Sequence, residues 1–242
     1  MIHADTKVTD VIDNPLFAGY GRLIFPTAFG RPSASMTLDE VGSLLIYHNY
    51  VNTDTTIDVI REMEARRKQG EKIFYDIYTE QEKRRDPEKR DTGLFFFRGG
   101  ANAPFAVICA GGGFYYVGSI HESLPHALEL SRMGYNGFAL VYRTSTADTA
   151  CEDLARAIRF IFDHAKELGV DTRGYSLWGG IADWRVIKRR LECLEAFGTD
   201  TEFHLYPGLR HGFGLGIGTE AEGWINDAVA FWERNRKRGG VN

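Results

Sequence analysis

Tyr175-Ser176-Leu177-Trp178-Gly179-Gly180-Ile181-Ala182-Asp183-Trp184 joins a short strand directly to a helix. Tyr175 to Trp178 has strand character, and from Asp183 to Phe197 the apolar residues Val186, Ile187 and Leu191 follow helical spacing before Gly198 closes the run. Upstream, a helix from Thr149 to Leu168 places Leu154, Ile158, Phe162 and Ala165 on one face and stops at Gly169. Before it come a strand from Gly137 to Tyr142, a helix from Ser123 to Met133, and the apolar run Phe105 to Ala110, which reads as a strand buried on both faces. Downstream, Glu202 to Tyr206 reads as the last strand and Ala221 to Lys237 as the last helix. Strands alternating with helices predict an α/β fold, a mostly parallel sheet with helices on both faces.

The first part of the chain is organised differently. Residues 1–35 carry Pro15, Pro26 and Pro32 without a steady period, and Leu16, Phe17, Leu23, Ile24 and Phe25 imply that this irregular arm packs on the core. Ile57, Ile60, Met63 and Ala65 predict an amphipathic helix from Asp54 to Gln69, with Asp54 as its N-cap and Gly70 ending it. Lys72 to Glu80 and Gly93 to Phe97 read as two antiparallel strands flanking a charged run, Lys83 to Asp91, whose alternating signs and Asp86-Pro87 step predict a solvated hairpin turn. The 242 residues are enough for a single domain, 1–242, in which 1–70 form an N-terminal arm and helix packed on the core.

A net charge of −4 leaves no basic footprint for nucleic acid. Asp5, Asp10 and Asp13 precede any sustained apolar run, so neither a secretory segment nor a membrane span is expected at the N-terminus. Cys109, Cys151 and Cys193 are odd in number and lie within apolar patterns, which predicts reduced, buried thiols and a cytoplasmic location. No cofactor is expected, because no dinucleotide or phosphate-loop fingerprint appears. His121, His126, His164, His204 and His211 show no metal-ligand spacing.

In an open α/β sheet, reactive groups gather where loops leave the carboxyl ends of the parallel strands. Three loops qualify. Cys109-Ala110-Gly111-Gly112-Gly113-Phe114 ends the first buried strand; its glycines suit a backbone anion hole, a tight turn or a phosphate cradle equally. Gly208-Leu209-Arg210-His211-Gly212-Phe213-Gly214 carries His211, either a proton carrier or a structural imidazole. The third is the join after Trp178. A nucleophile elbow needs G-x-S-x-G, and here Gly179-Gly180-Ile181-Ala182-Asp183 has isoleucine in the serine's place.

These loops, in this order, resemble the esterase/lipase branch of the α/β-hydrolase superfamily from about Ile73 to Trp232. The resemblance implies carboxylic ester hydrolysis by a Ser-His-Asp triad. Gly112, Gly113 and Phe114 would form the oxyanion and substrate-binding loop, and His211 the general base; Ala110 stands where the common form of the loop has histidine. Leu177-Trp178-Gly179-Gly180 is similar to the approach to the elbow, whereas Ile181-Ala182-Asp183-Trp184-Arg185 is similar to the segment just after the family's catalytic aspartate. The two ends are joined without the serine, its helix, two strands and the acid loop, roughly 60 residues at about 30 per strand-and-helix unit.

The sheet is therefore expected to be shortened by about two strands and triad catalysis to be impaired. Ser176 lies within its strand, Thr144 and Ser145 fit either the crevice mouth or a cap on the next helix, and Ser119, His121 and Glu122 could touch substrate or serve a turn or cap. Asp183 fits either an acid for His211 or a helix N-cap. The expected partner is a small-molecule ester or related ligand, with no nucleic acid and no membrane; a non-catalytic binding or interaction role is the alternative, and uncovered apolar faces allow a homo-oligomer.

Overall fold

The computed structural model describes residues 1–179 and 184–239. Expectations for Gly180, Ile181, Ala182 and Asp183, including the choice between acid and N-cap for Asp183, lie outside the described residues. Five strands form one sheet: β1 (Phe74–Tyr75), β2 (Gly93–Phe97), β3 (Ala103–Cys109), β4 (Asn136–Val141) and β5 (Val170–Gly179), in the order β1-β2-β4-β3-β5. β3 runs parallel to β4 and β5, while β2 is antiparallel to both β1 and β4. The helices are α1 (Val8–Ile12), α2 (Thr53–Lys68), α3 (Glu80–Arg85), α4 (Ser123–Arg132), α5 (Ala147–Asp163), α6 (Ala165–Leu168), α7 (Trp184–Ala196) and α8 (Trp224–Gly239).

The sheet centre is apolar on both faces. Every residue of β2 and β4 is buried, and Phe96 stacks on its register partner Phe138 with ring centroids 4.3 Å apart. Gly137 in β4 lets α4 approach closely, since a Cβ there would lie 2.3 Å from the Ala127 carbonyl oxygen. Asn136, fully buried, accepts from the Gly99 N–H and donates to the Gly100 and Ala103 carbonyls, so the β2–β3 connection is pinned without an orphaned polar group. Val8, Val11, Phe17, Leu23, Ile24 and Val41 bury the N-terminal arm in the same apolar cluster as the strands.

Several expectations need correction. The N-cap of α2 is Asn52, whose side chain accepts from the Thr55 N–H, and not Asp54. The charged run is no hairpin turn: α3 begins at a Thr79–Glu82 capping box and is followed by a 3₁₀ turn, Pro87–Asp91. Its charges find partners, Lys83 on Asp76 and Glu80, and Asp86 on Arg143, which holds the segment against the sheet. Cys109 is half-buried, and Cys151 and Cys193 are exposed; burial still pushes the Cys109 thiol up to about 12. Glu202 to Tyr206 is not a strand, since no neighbouring strand offers it a ladder, and it docks through charge as Glu202 pairs with Arg234 of α8 at 2.6 Å.

β5 therefore lies at an edge of the sheet, longer than the expected Tyr175–Trp178. Its register against β3 slips between Pro104 and Ala106, and the Trp232 indole N–H of α8 donates to the carbonyl of Gly174 inside that irregularity.

A buried ion pair ties α5 to the end of β4. Asp153, with no exposed surface, accepts from the Arg143 backbone N–H at 2.7 Å, from its guanidinium at 2.8 Å and from the Tyr78 hydroxyl at 2.6 Å. Removing one member of such a pair strands the other charge in low dielectric. Asp153→Ala is expected to lower unfolding stability by about 3 to 5 kcal/mol in denaturant titration; a loss below about 1 kcal/mol contradicts this account.

Candidate functional site

β3 ends at Cys109, and the next residues turn through the glycine loop. Gly112, Gly113 and Phe114 have φ values of +142°, +62° and +57°. Gly112 has no room for a side chain, since a Cβ would lie 2.0 Å from the Tyr116 carbonyl oxygen. Phe114 occupies the left-handed region without being glycine, a strained conformation of the kind that clusters at ligand sites. Among the described residues no backbone acceptor or side chain takes the N–H of Gly112, Gly113 or Phe114. The Gly111 N–H, in contrast, donates to Glu122 Oε2 at 2.6 Å.

Glu122 immediately precedes α4 and is the centre of a buried polar chain. Its Oε1 lies 3.3 Å from His48 Nε2, His48 Nδ1 lies 2.7 Å from the Tyr116 hydroxyl, and that hydroxyl accepts from the Tyr47 N–H at 2.9 Å. Burial alone would push the Glu122 carboxyl up, but the His48 contact and the Gly111 N–H outweigh it and bring it down to about 2. His126 sits beside this carboxylate, and burial lowers its pKa from 6.5 to about 4, so it is neutral near pH 7.

The arm that supplies His48 also holds the third loop. The Asn49 N–H donates to the Gly212 carbonyl at 2.9 Å, and Asn49 Nδ2 donates to the His211 carbonyl at 2.7 Å. His121 Nε2, 2.9 Å from the same Gly212 oxygen, adds a second tie. The His211 ring centroid stands 6.5 Å from that of His48. His211 is half-buried, and no hydroxyl or carboxylate among the described residues hydrogen-bonds its ring. The Ser176 hydroxyl accepts from the Trp178 indole at 2.8 Å and belongs to β5. Thr146 caps α5, and Ser145 hydrogen-bonds Thr149, so these hydroxyls serve the helix start.

The sequence places His211 and the glycine loop at one crevice; in the structure the glycine loop is tied to Glu122, which contacts His48, and the next residue, Asn49, is bonded to the carbonyls of His211 and Gly212. The arm residues Tyr47, His48 and Asn49, with Tyr116, were missed: Leu44-Leu45-Ile46-Tyr47-His48-Asn49-Tyr50 has neither a helical nor a strand period, and only its polar residues between aromatics hinted at a site. Glu122, His126 and His211 of this cluster line one end of a cavity of about 980 Å³ that extends between β5, residues 202–214 and α8, with Trp178, Trp224 and Phe231 among its other walls. Among the described residues no group of histidine, cysteine or carboxylate side chains is arranged to hold a metal ion, and no helix is long and apolar enough to cross a membrane.

The five-stranded sheet with its helices has the α/β-hydrolase fold, as a solved structure of that fold shows. An α/β hydrolase enzyme, MGS-M1, from a Medee basin deep-sea metagenome library is similar over 60% of this chain and 93% of its own, with a TM-score of 0.54 and 15% identity. An esterase from Pyrobaculum calidifontis is 22% identical over 45% of this chain and 37% of its own, with a TM-score of 0.34. The esterase Est2 of Thermogutta terrifontis is 22% identical over 50% of this chain and 44% of its own, with a TM-score of 0.35. The chain thus matches less than half the length of either esterase. No protein-family model matches the chain, and neither does any curated protein.

The two buried groups make stability depend on acid in the same direction. Between pH 6.5 and about 4 the unfolded chain protonates His126 while the folded chain does not, so stability falls as pH drops through that window. Glu122, lowered from 4.5 to about 2, adds a second loss as pH falls from 4.5 toward 2. Denaturation free energies taken from about pH 8 to about pH 3 are expected to decline by a few kcal/mol, and His126→Phe to flatten the upper part of the slope. A wild-type profile that is level from pH 6.5 down to 4.5 contradicts the His126 assignment, and one that is level from pH 4.5 to about 3 contradicts the Glu122 assignment.

Proposed function

We propose that this chain is an esterase-like scaffold that binds a carbonyl- or carboxylate-bearing small molecule at the glycine loop and does not hydrolyse esters through a triad. Gly112, Gly113 and Phe114 would contact the ligand oxygen, and His211 would face it as the imidazole of the ancestral base. The observation that carries this reading is the isolation of His211: its ring meets no hydroxyl or carboxylate among the described residues, and residues 180–183 read Gly-Ile-Ala-Asp. Without a nucleophile, a triad enzyme loses about a millionfold in turnover and keeps only what binding and the anion hole supply.

The chemistry of the retained parts is coherent with binding. A buried carboxylate in front of Gly111 takes one amide away from the loop and fixes the direction of the chain that follows. Amide N–H groups left without acceptors then suit an oxygen with partial or full negative charge. The free cysteines fit a reducing compartment, and we place the protein in the cytoplasm on that ground.

A second reading, an interaction protein that associates with itself, is favoured by the surface beyond β5. Phe197 is 88% exposed, and Phe203 and Leu205 lie exposed in the unpaired segment that follows.

A short-chain p-nitrophenyl ester assay checks the proposal. Turnover is expected at background level and unchanged in His211→Ala, with no fluorophosphonate adduct in peptide maps. Ester turnover that falls by about a hundredfold or more in His211→Ala, or a labelled serine, would mean that a working nucleophile exists.

A further inference from the structure

The glycine loop is bordered by aromatic side chains that the core does not use. Phe29, Tyr47, Phe114 and Tyr115 are 41%, 49%, 43% and 51% exposed. They come from two distant stretches of chain and meet at one place. A Cβ on Gly113 would lie 3.4 Å from the Tyr47 ring, Phe29 meets Tyr115 edge-on at 5.7 Å, and Tyr47 stacks on the buried Tyr116 at 5.8 Å. Phe114 is held in its left-handed conformation with its ring 6.4 Å from Tyr142.

Half-exposed rings on a surface gain from being covered by an apolar group, and an aromatic one adds ring–ring geometry to the buried area. Tyr47 is fixed from below by Tyr116, whose hydroxyl also takes the Tyr47 N–H, so its position is set before any ligand arrives. Phe29 is likewise anchored, its ring 6.0 Å from Tyr116. A ring laid on them would find faces and edges already in place, and Gly113, which lies against the Tyr47 ring and is followed directly by Phe114 and Tyr115, brings loop amides without acceptors next to these side chains. An aliphatic chain would cover the same area without the edge-to-face term that aromatic pairs add.

We infer that the glycine loop and the aromatic residues Phe29, Tyr47 and Tyr115 form a binding site for an aromatic carboxylic acid, with the carboxylate on the loop amides and the ring against the rim. This rests on the oxygen-binding reading of the loop proposed above and adds the identity of the group attached to that oxygen. Tyr47 and Tyr115 set the preference for a ring, and the amides set the requirement for the acid.

Titration of the ¹⁵N-labelled full chain with benzoate, cyclohexanecarboxylate and benzyl alcohol separates these claims. Benzoate is expected to shift the amide resonances of Gly112, Gly113 and Phe114 and to bind at least about fivefold tighter than cyclohexanecarboxylate. Benzyl alcohol, which has the ring without the acid, is expected to leave those amides in place. Tyr47→Leu and Tyr115→Leu should each bring the two acids toward equal affinity without abolishing cyclohexanecarboxylate binding; neither ring is buried, and the wild-type comparison stands even if a variant fails to fold. Equal affinity of the wild type for the two acids, or a preference that survives both substitutions, overturns the aromatic site and leaves the oxygen-binding loop standing. If neither acid moves those amides, the aromatic site and the reading beneath it fall together.

Discussion

One buried carboxylate holds the candidate site in shape. Taking Glu122 out of water costs several kcal/mol unless its charge is compensated; here the Gly111 N–H donates to one oxygen and the His48 ring lies 3.3 Å from the other. Each brings a different piece of chain to the same point. Gly111 commits the start of the glycine loop, and the backbone after it turns through three positive φ angles and passes so close to the Tyr116 carbonyl that Gly112 has no room for a side chain. His48 commits the N-terminal arm, and the neighbouring Asn49 carries that constraint onward to the carbonyls of His211 and Gly212. Two loops more than 90 residues apart in the chain, as the His121–Gly212 tie shows, are set against each other by an arm that belongs to neither.

Small side chains enforce the same geometry. A Cβ on Gly118 would lie 2.6 Å from the His48 ring, and one on Gly212 would lie 2.8 Å from the His48 Cα. The arm can approach both loops only because these positions are bare. A site built in this way is rigid at its base and open at its rim, where Gly113, Phe114 and Tyr115 are exposed above the buried Gly112 and Tyr116.

Much of the fold was legible because its strands are short and strongly apolar. Phe105 to Ala110 and Gly137 to Tyr142 announce buried strands, and both lie within one or two residues of β3 and β4. The same reasoning failed at Glu202 to Tyr206, whose alternation looks equally strand-like. A strand is completed by its neighbour, and pattern alone does not say whether a neighbour exists. The charged run failed for the opposite reason: its capping box, Thr79 with Glu82, was present in the letters, but alternating charge was read as solvation when Arg143 and Asp76 were waiting as partners. Of the site, the glycines and His211 were legible as punctuation after strands. The arm was not, because His48 and Asn49 act through tertiary contacts that leave no local period.

The glycine loop and the edge of the sheet are supported by different parts of the chain. Everything that shapes the loop, namely β3, α4, Glu122, Tyr116 and the arm, precedes β5 in sequence. From β5 onward the chain contributes an edge strand with a slipped register, much of the wall of a cavity that reaches back to Glu122, and an extended segment held by Glu202 and Arg234. The Trp232 indole on the Gly174 carbonyl satisfies one acceptor where a ladder bond is lacking, so α8 covers part of this edge. The glycine loop is thus held by residues upstream of β5, whereas His211 sits on the segment downstream of it; the arm, through His48 and Asn49, and the approach to α4, through Glu122 and His121, are tied to both.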